Sequence, residues 1–339
     1  VQCKIIDTMI AAPLLNENRR FYNLNSLAGE YLGEWKNEKM LRSAAEMHGV
    51  NPKSGMWQLH ANFVGRYAEQ DAAVTLRLWD RLRADIVKEK VSSIFELETS
   101  LLPCLLDMKT KGVRVDIDKA ELVKKDLQNR EDNLLKEIKK ETGVAVSPWE
   151  AASIAKAFDS LGLKYHRTEN SNAPSFTKQF LVNHTHPIAQ KIVKLREFNK
   201  ANTTFVETIL EHSCNGRIHC DFNPLRSDEG GIVTGRFSSS NPNLQQIPAR
   251  DPEIKALIRG LFLPEEGTKW GSFDYASQEP RWLAHYCAQL PDLHRHPEID
   301  TVVEMYQKGN ADFHQMVADL ANITRKEAKT VNLGIMYGM

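Results

Sequence analysis

Arg325-Lys-Glu-Ala-Lys-Thr-Val-Asn-Leu-Gly-Ile-Met-Tyr-Gly-Met339 reads as a helix. Arg325, Lys329, Leu333 and Tyr337 follow one another at i, i+4 steps, so on a helix they line one slowly drifting stripe. Two cations stand near its amino end, where the helix dipole adds positive partial charge, and an aromatic stands near the other. A polyphosphate suits the first end and a flat base the second. Gly334 and Gly338 leave room for something large beside the backbone. By itself the segment describes an amphipathic surface helix with a basic face better than it does a nucleotide site.

Working back from this helix, Asp312-Phe-His314 precedes it. Further upstream, Lys269-Trp-Gly-Ser-Phe-Asp-Tyr275 reads as a short strand, and Ser277–Leu290 as a helix with Pro280 tolerated near its first turn. This places Asp274 at an exposed strand end, a common position for a hard-cation ligand; a helix-entry aspartate is the alternative. Ile232-Val-Thr-Gly-Arg-Phe-Ser-Ser-Ser-Asn-Pro-Asn-Leu-Gln-Gln-Ile-Pro248 is rich in hydroxyls, amides and turn residues, which predicts a loop with short strands. Arg236, Asn243 and Gln245, with Arg250 just beyond, are donors suited to the minor-groove acceptors shared by all base pairs. A hydrogen-bonded surface loop would use the same residues.

The first 88 residues alternate loop and helix signals. Asn23–Gly29 looks like a capped helix start, and Arg66–Trp79 like an amphipathic helix with Tyr67 and Asp71 on one face. Between 89 and 213 the chain is helical and charged. A helix begins near Glu96, Lys111–Asp116 turns into a short strand, and Asp118–Glu141 has the periodicity of one arm of an antiparallel helical hairpin. Ser147-Pro-Trp149 and Asn170–Ser175 mark loops.

The composition is that of a globular protein of two or three domains. The 339 residues are 42% hydrophobic and 26% charged, with 44 basic and 44 acidic side chains. Zero net charge argues mildly against nucleic-acid binding, although cations gather in Lys88–Lys90, Lys109–Arg114 and Lys191–Lys200. Five scattered cysteines imply free thiols in a reducing compartment, and no Cys/His set has zinc spacing. The histidine pairs 184/186 and 294/296 read as loop residues. No apolar run reaches membrane-spanning length. An apolar first residue and a last residue directly after Tyr-Gly suggest a fragment of a longer protein.

Three motifs in order resemble family A (polymerase I type) DNA polymerases, and the short spacing between His314 and Arg325 looks like the phage members. They are Thr234-Gly-Arg through Pro248, Asp274-Tyr-Ala-Ser-Gln-Glu-Pro-Arg281, and Arg325-x3-Lys329-x3-Leu333-x3-Tyr337-Gly. Leu333 departs from the aromatic residue usual in the family. The resemblance implies a helix-rich α/β fold containing the end of an RNase H-like 3′–5′ exonuclease domain (1–88), a thumb (89–213), the first part of a palm (214–280) and the start of the fingers (281–339). It implies DNA-directed DNA polymerase activity on primer-template DNA and deoxynucleoside triphosphates, with two Mg2+ ions, in a cytoplasmic setting. Replisome or processivity proteins would be further partners.

The resemblance also assigns roles. Asp274 and the Tyr275 carbonyl would hold metal, and Glu279 would crowd a ribose 2′-hydroxyl. Arg281 would support the primer strand or the site's network, and His314 would contact phosphate. Arg325 and Lys329 would stabilise developing charge, with Lys329 placed to protonate pyrophosphate; Leu333 would line the nucleotide site, and Tyr337 would close over the templating pair. Tyr67 and Asp71 would be an exonuclease remnant, inert because one carboxylate cannot hold two cations against hydration. The family's second metal aspartate lies in a His-Asp motif not found in this sequence, so the chain alone is expected to be inactive. A non-catalytic nucleic-acid-binding protein of the same fold and a 3′–5′ exonuclease are the alternatives.

Overall fold

The computed structural model describes residues 5–228, 230–249, 251–309 and 312–339, and divides into two units, Val1–Thr268 and Lys269–Met339. Helices dominate each; among the described residues strands occur only in the first.

In the first unit, the helices Thr8–Leu15 and Leu24–Leu32 are capped by Asp7 and Asn23, whose side-chain oxygens accept from the amides of Met9 and Ser26. Both pack on the helix Ala61–Lys88, which contains the expected Arg66–Trp79 segment. Its Val74, Leu78, Leu82 and Ile86 recur every four residues as one buried stripe, and the last three share a core with Tyr22, Leu27 and Phe95.

The helix Ile117–Thr142 starts where Asp116 accepts from the Lys119 amide and ends at Gly143, whose φ of 72° suits glycine. It crosses two cores: Ala120, Val123 and Leu127 enter one, and Ile138 the other. Its hairpin partner is Pro187–Lys200. Lys191 pairs with Glu137 and Glu141 (3.2 and 2.9 Å), while Asn199 donates to Glu131 (2.9 Å), so the two helices run antiparallel.

Four short antiparallel strands join chain segments far apart in sequence: Ser213–Cys214, Arg217–Ile218, Val113–Val115 and Phe262–Leu263, in that order. Asn215 and Gly216, with φ of 50° and 73°, supply the tight turn that an Asn-Gly pair favours. Arg114 lies directly opposite Arg217, an unfavourable pairing of like charges. Glu265 relieves it by accepting from both Arg217 guanidinium nitrogens at 2.8 and 2.9 Å. The segment 232–248 is loop with one strand, Ser238–Ser240, paired to Asp221–Asn223, as its composition predicts. Asn170–Ser175 is less irregular than expected, because Pro174–Ser175 pairs with His166–Arg167.

Two of the basic stretches are largely neutralised. Lys109 pairs with Asp221, Arg114 with Glu266, Lys191 with two glutamates, and Lys194 with Glu197 and Asp251. Cys104, Cys214, Cys220 and Cys287 are free, as expected; Cys3 lies outside the described residues.

In the second unit, Gln278–Ala288 packs on Ile299–Gln307, and Phe313–Ala321 packs on Arg325–Met336. Asn322, at φ 52°, ends the third of these helices. Thr324 then starts the fourth with a reciprocal cap: its hydroxyl accepts from the Glu327 amide, and the Glu327 carboxylate accepts from the Thr324 amide. Ala318 and Ala328, both buried, let this pair approach closely.

Candidate nucleotide-binding site

The helix Arg325–Met336 has two faces. Ala328 and Asn332 form the buried one, while Arg325 and Lys329 are exposed on the other. Leu333 is half-buried and continues the exposed stripe toward Tyr337, which is the carboxyl cap rather than a helical residue. The stripe expected from the i, i+4 spacing is therefore present over its first three positions. Gly338 has a structural reason to be glycine, a φ of 73° just past the helix end. Gly334 leaves a Cβ in ordinary contact with Met339 only.

Asp312 braces the amino end of this helix. Its Oδ1 accepts from the Gln315 amide (3.0 Å), capping the preceding helix, and its Oδ2 accepts from Arg325 Nε (2.8 Å). The Arg325 hydrogen bond, aided by the Gln315 amide, holds the Asp312 carboxyl below its usual range. Lys329 has no ion-pair partner among the described residues, so its charge is available to an anion.

His314 is buried, 5% exposed, and hydrogen-bonded to Asn332 at 3.0 Å. The ring therefore packs against the Arg325–Met336 helix. Burial lowers its pKa first, then the charges of Arg325 and Lys329, while Asp312 and Glu279 oppose them. The imidazole thus lies within the electrostatic reach of four charged side chains.

Asp274 departs from the expected strand. Lys269–Ala276 is irregular, because no strand of this unit is available to pair with it among the described residues. Asp274 and Tyr275 are both exposed, immediately before the Gln278–Ala288 helix. As a single exposed carboxylate Asp274 suits one ligand position on a hard cation. Among the described residues no group of three His, Cys, Asp or Glu side chains could hold an ion, so the full ligand set is not present. Arg281 is committed internally: Nε donates to the Ala276 carbonyl (2.9 Å), Nη1 to the Tyr306 carbonyl (3.2 Å), and the guanidinium sits 5.0 Å from the Tyr306 ring centroid. It thereby ties the turn after Asp274 to the Ile299–Gln307 helix.

In the first unit, Arg236, Asn243 and Gln245 are exposed, and Asn243 and Gln245 carry internal hydrogen bonds. Asn243 Oδ1 accepts from the Gln245 amide (3.0 Å), and Gln245 Nε2 donates to the Phe237 carbonyl (3.1 Å). Arg250 lies outside the described residues.

Tyr67 and Asp71 do share a face, and what joins them is a lysine that sequence reasoning passed over. Lys36 Nζ contacts Asp71 Oδ1 and Oδ2 (2.8 and 2.9 Å) and Tyr67 Oη (2.8 Å), and lies 4.4 Å from the tyrosine ring centroid. Both carboxylate oxygens therefore already face a cation, and a metal ion would have to displace an ammonium whose side chain is 9% exposed. Asp71 as it stands does not fit a metal ligand. Lys36 lies in an irregular stretch without periodicity, so no sequence signal marks it. Asn332 was also missed; its signal is the i, i+4 step from Ala328 on the helix's other face.

Residues 117–339 match DNA polymerase family A, and residues 2–87 match the 3′–5′ exonuclease family. The chain belongs to DNA polymerase family A. It is 38% identical over 347 residues to a DNA-directed DNA polymerase of Pseudomonas phage M6, an alignment covering 98% of this chain and 52% of the relative. It is 32% identical over 365 residues to DNA polymerase DpoZ of Acinetobacter phage SH-Ab 15497, covering 98% and 57%. The thermostable DNA polymerase I of Thermus aquaticus is 28% identical over 349 residues, covering 98% and 36%. The chain thus spans about half the length of the phage relatives. In fold it resembles the POL domain of Pol1 from M. smegmatis, solved in complex with DNA primer-template and dNTP, with a TM-score of 0.75, 22% identity, and coverage of 98% of this chain and 54% of that one.

Proposed function

We propose that this chain supplies the incoming-nucleotide site of a DNA-directed DNA polymerase. The observation that carries the reading is the Arg325–Met336 helix, which presents Arg325 and Lys329 on its exposed face while the Glu279-bearing helix lies within electrostatic reach of the same buried histidine. The dipole at the helix amino end and the two cations favour a triphosphate there. Arg325, held by Asp312, orients the phosphates. Lys329 neutralises charge developing on the leaving pyrophosphate and is placed to protonate it. Tyr337 covers the base, Leu333 lines the approach, and Glu279 crowds a ribose 2′-hydroxyl.

Asp274, with the Tyr275 carbonyl, contributes one side of the Mg2+ site. A divalent ion held there would supply Lewis-acid activation of a primer 3′-hydroxyl and charge neutralisation at the leaving group. Arg236, Asn243, Gln245 and Arg250 are assigned to the primer-template minor groove. The domain boundaries at 88, 213 and 280, and action in a cytoplasm alongside replisome or processivity proteins, belong to the same reading. Among the described residues no helix is long and apolar enough to cross a membrane.

Primer extension by the full-length protein tests it. Asp274→Ala should abolish extension with Mg2+ while leaving duplex binding largely intact. Extension equal to wild type would remove Asp274 from the mechanism.

A further inference from the structure

The buried face of the Arg325–Met336 helix carries a polar group where an apolar one would pack. Asn332 is 4% exposed, one turn from the fully buried Ala328 and against the Phe313–Ala321 helix. A buried amide persists only where hydrogen bonds replace its lost hydration. Asn332 Nδ2 has two partners, His314 Nδ1 at 3.0 Å and the Phe313 carbonyl at 3.5 Å. The carbonyl settles which end of the amide is which. A backbone C=O only accepts, so the group facing it must be the amide NH2, and the same NH2 faces His314. A donor aimed at Nδ1 requires a lone pair there, and the ring proton must then reside on Nε2.

We propose that Asn332 is a positioning residue that fixes the tautomer of His314, keeping the imidazole neutral with its sole N–H at Nε2. On the nucleotide-site reading, on which this role rests, His314 offers an anionic phosphate oxygen a directional donor and not a further cation. The charged groups around the ring are Arg325 and Lys329 on the Arg325–Met336 helix, Asp312 before the Phe313–Ala321 helix, and Glu279 on the Gln278–Ala288 helix. Burial and the two cations disfavour the imidazolium, and Asp312 and Glu279 favour it, with the balance toward the neutral ring. Asn332 cannot turn over to accept from a protonated Nδ1 without setting its amide oxygen against the Phe313 carbonyl. Fixing the tautomer suits a site with Arg325 and Lys329 nearby: those charges can act on a triphosphate while the histidine adds orientation.

The test is 15N NMR of the 339-residue chain labelled on its histidine ring nitrogens, with His314 identified by its loss in His314→Gln. The wild-type spectrum should show Nε2 protonated and Nδ1 bare from pH 6 to 8. Asn332→Asp keeps the shape but replaces the donor with an acceptor, so Nδ1 should become protonated and the ring should titrate within that window. A wild-type ring protonated at Nδ1, or a tautomer unchanged in Asn332→Asp, overturns the proposal without any variant needing to be active. In the full-length protein, Asn332→Asp should raise the KM for deoxynucleotide about tenfold, change kcat less, and introduce a pH dependence between 6 and 8. If the tautomer switches and KM stays flat, the tautomer assignment survives and the phosphate role of His314 is overturned.

Discussion

Replacing Lys36 with methionine keeps most of the apolar stem and removes the ammonium that joins Tyr67 to Asp71. The lysine side chain is 9% exposed and the Asp71 side chain 28%, so the substitution leaves a half-buried carboxylate without its cation. Breaking a fully buried pair from one side costs about 3–5 kcal/mol, and the partial hydration of Asp71 reduces that to an expected ~2–3 kcal/mol. Asp71→Asn should cost less, because its amide oxygen still accepts from Lys36. Adding Asp71→Leu to Lys36→Met removes the orphaned charge and should restore part of the loss, with an interaction energy of about 1–2 kcal/mol. Burial lowers the Lys36 pKa, but hydrogen bonds to Asp71 and Tyr67 and the Asp71 charge outweigh it, and the net shift is upward. A raised lysine pKa contributes stability below the ordinary value of 10.5 that is lost as pH rises through the folded-state value, so the full effect is present at pH 7. Urea unfolding of wild type, Lys36→Met, Asp71→Leu and the Lys36→Met/Asp71→Leu double variant, followed by far-UV circular dichroism, measures the cycle. A Lys36→Met cost within ~0.5 kcal/mol of zero, or strict additivity, would refute the claim that this pair holds the segment. The same variant offers a second readout. With the ammonium gone, Mn2+ should bind Asp71 detectably more tightly than in wild type, by paramagnetic broadening of nearby resonances.

Three further outcomes are expected. In the full-length protein, Lys329→Ala should lower kcat/KM for nucleotide by ~100-fold or more, the scale for losing one preorganised charge-stabilising donor, with duplex affinity unchanged by gel shift. Because the His314 pKa is depressed by burial and by Arg325 and Lys329, it contributes stability that is present above pH 6.5 and lost as pH falls below it. His314→Gln should flatten the fall of the urea midpoint between pH 7.5 and 5.5, ahead of the acidic loss from carboxyls such as Asp312. Thr324→Ala removes the helix cap at a cost of about 1 kcal/mol, visible as faster hydrogen exchange at the Glu327 and Ala328 amides; unchanged exchange would show that the cap does not hold this end.

Local rules, read from the sequence alone, determined most of the elements. The amphipathic helix at Arg66–Trp79, the capped start at Asn23 and the loop character of 232–248 follow from spacing and residue type, as does the exposure of Arg325 and Lys329. Tertiary structure decided what depends on partners distant in sequence. Lys269–Tyr275 has strand composition, yet a strand exists only where a ladder partner is available, and none is among the described residues of its unit. His314 could have faced solvent or core by its position in the helix, and packing on the Arg325–Met336 helix, with Asn332 as its partner, decided for the core. The stretches 109–114 and 191–200 read as basic surfaces until Asp221, Glu137, Glu141 and Asp251 arrived from elsewhere to neutralise them. Lys36 reaches Asp71 across 35 residues of chain, a separation at which no periodicity carries information. Periodicity reports which face of an element is buried; only the packed chain reports which partner meets it.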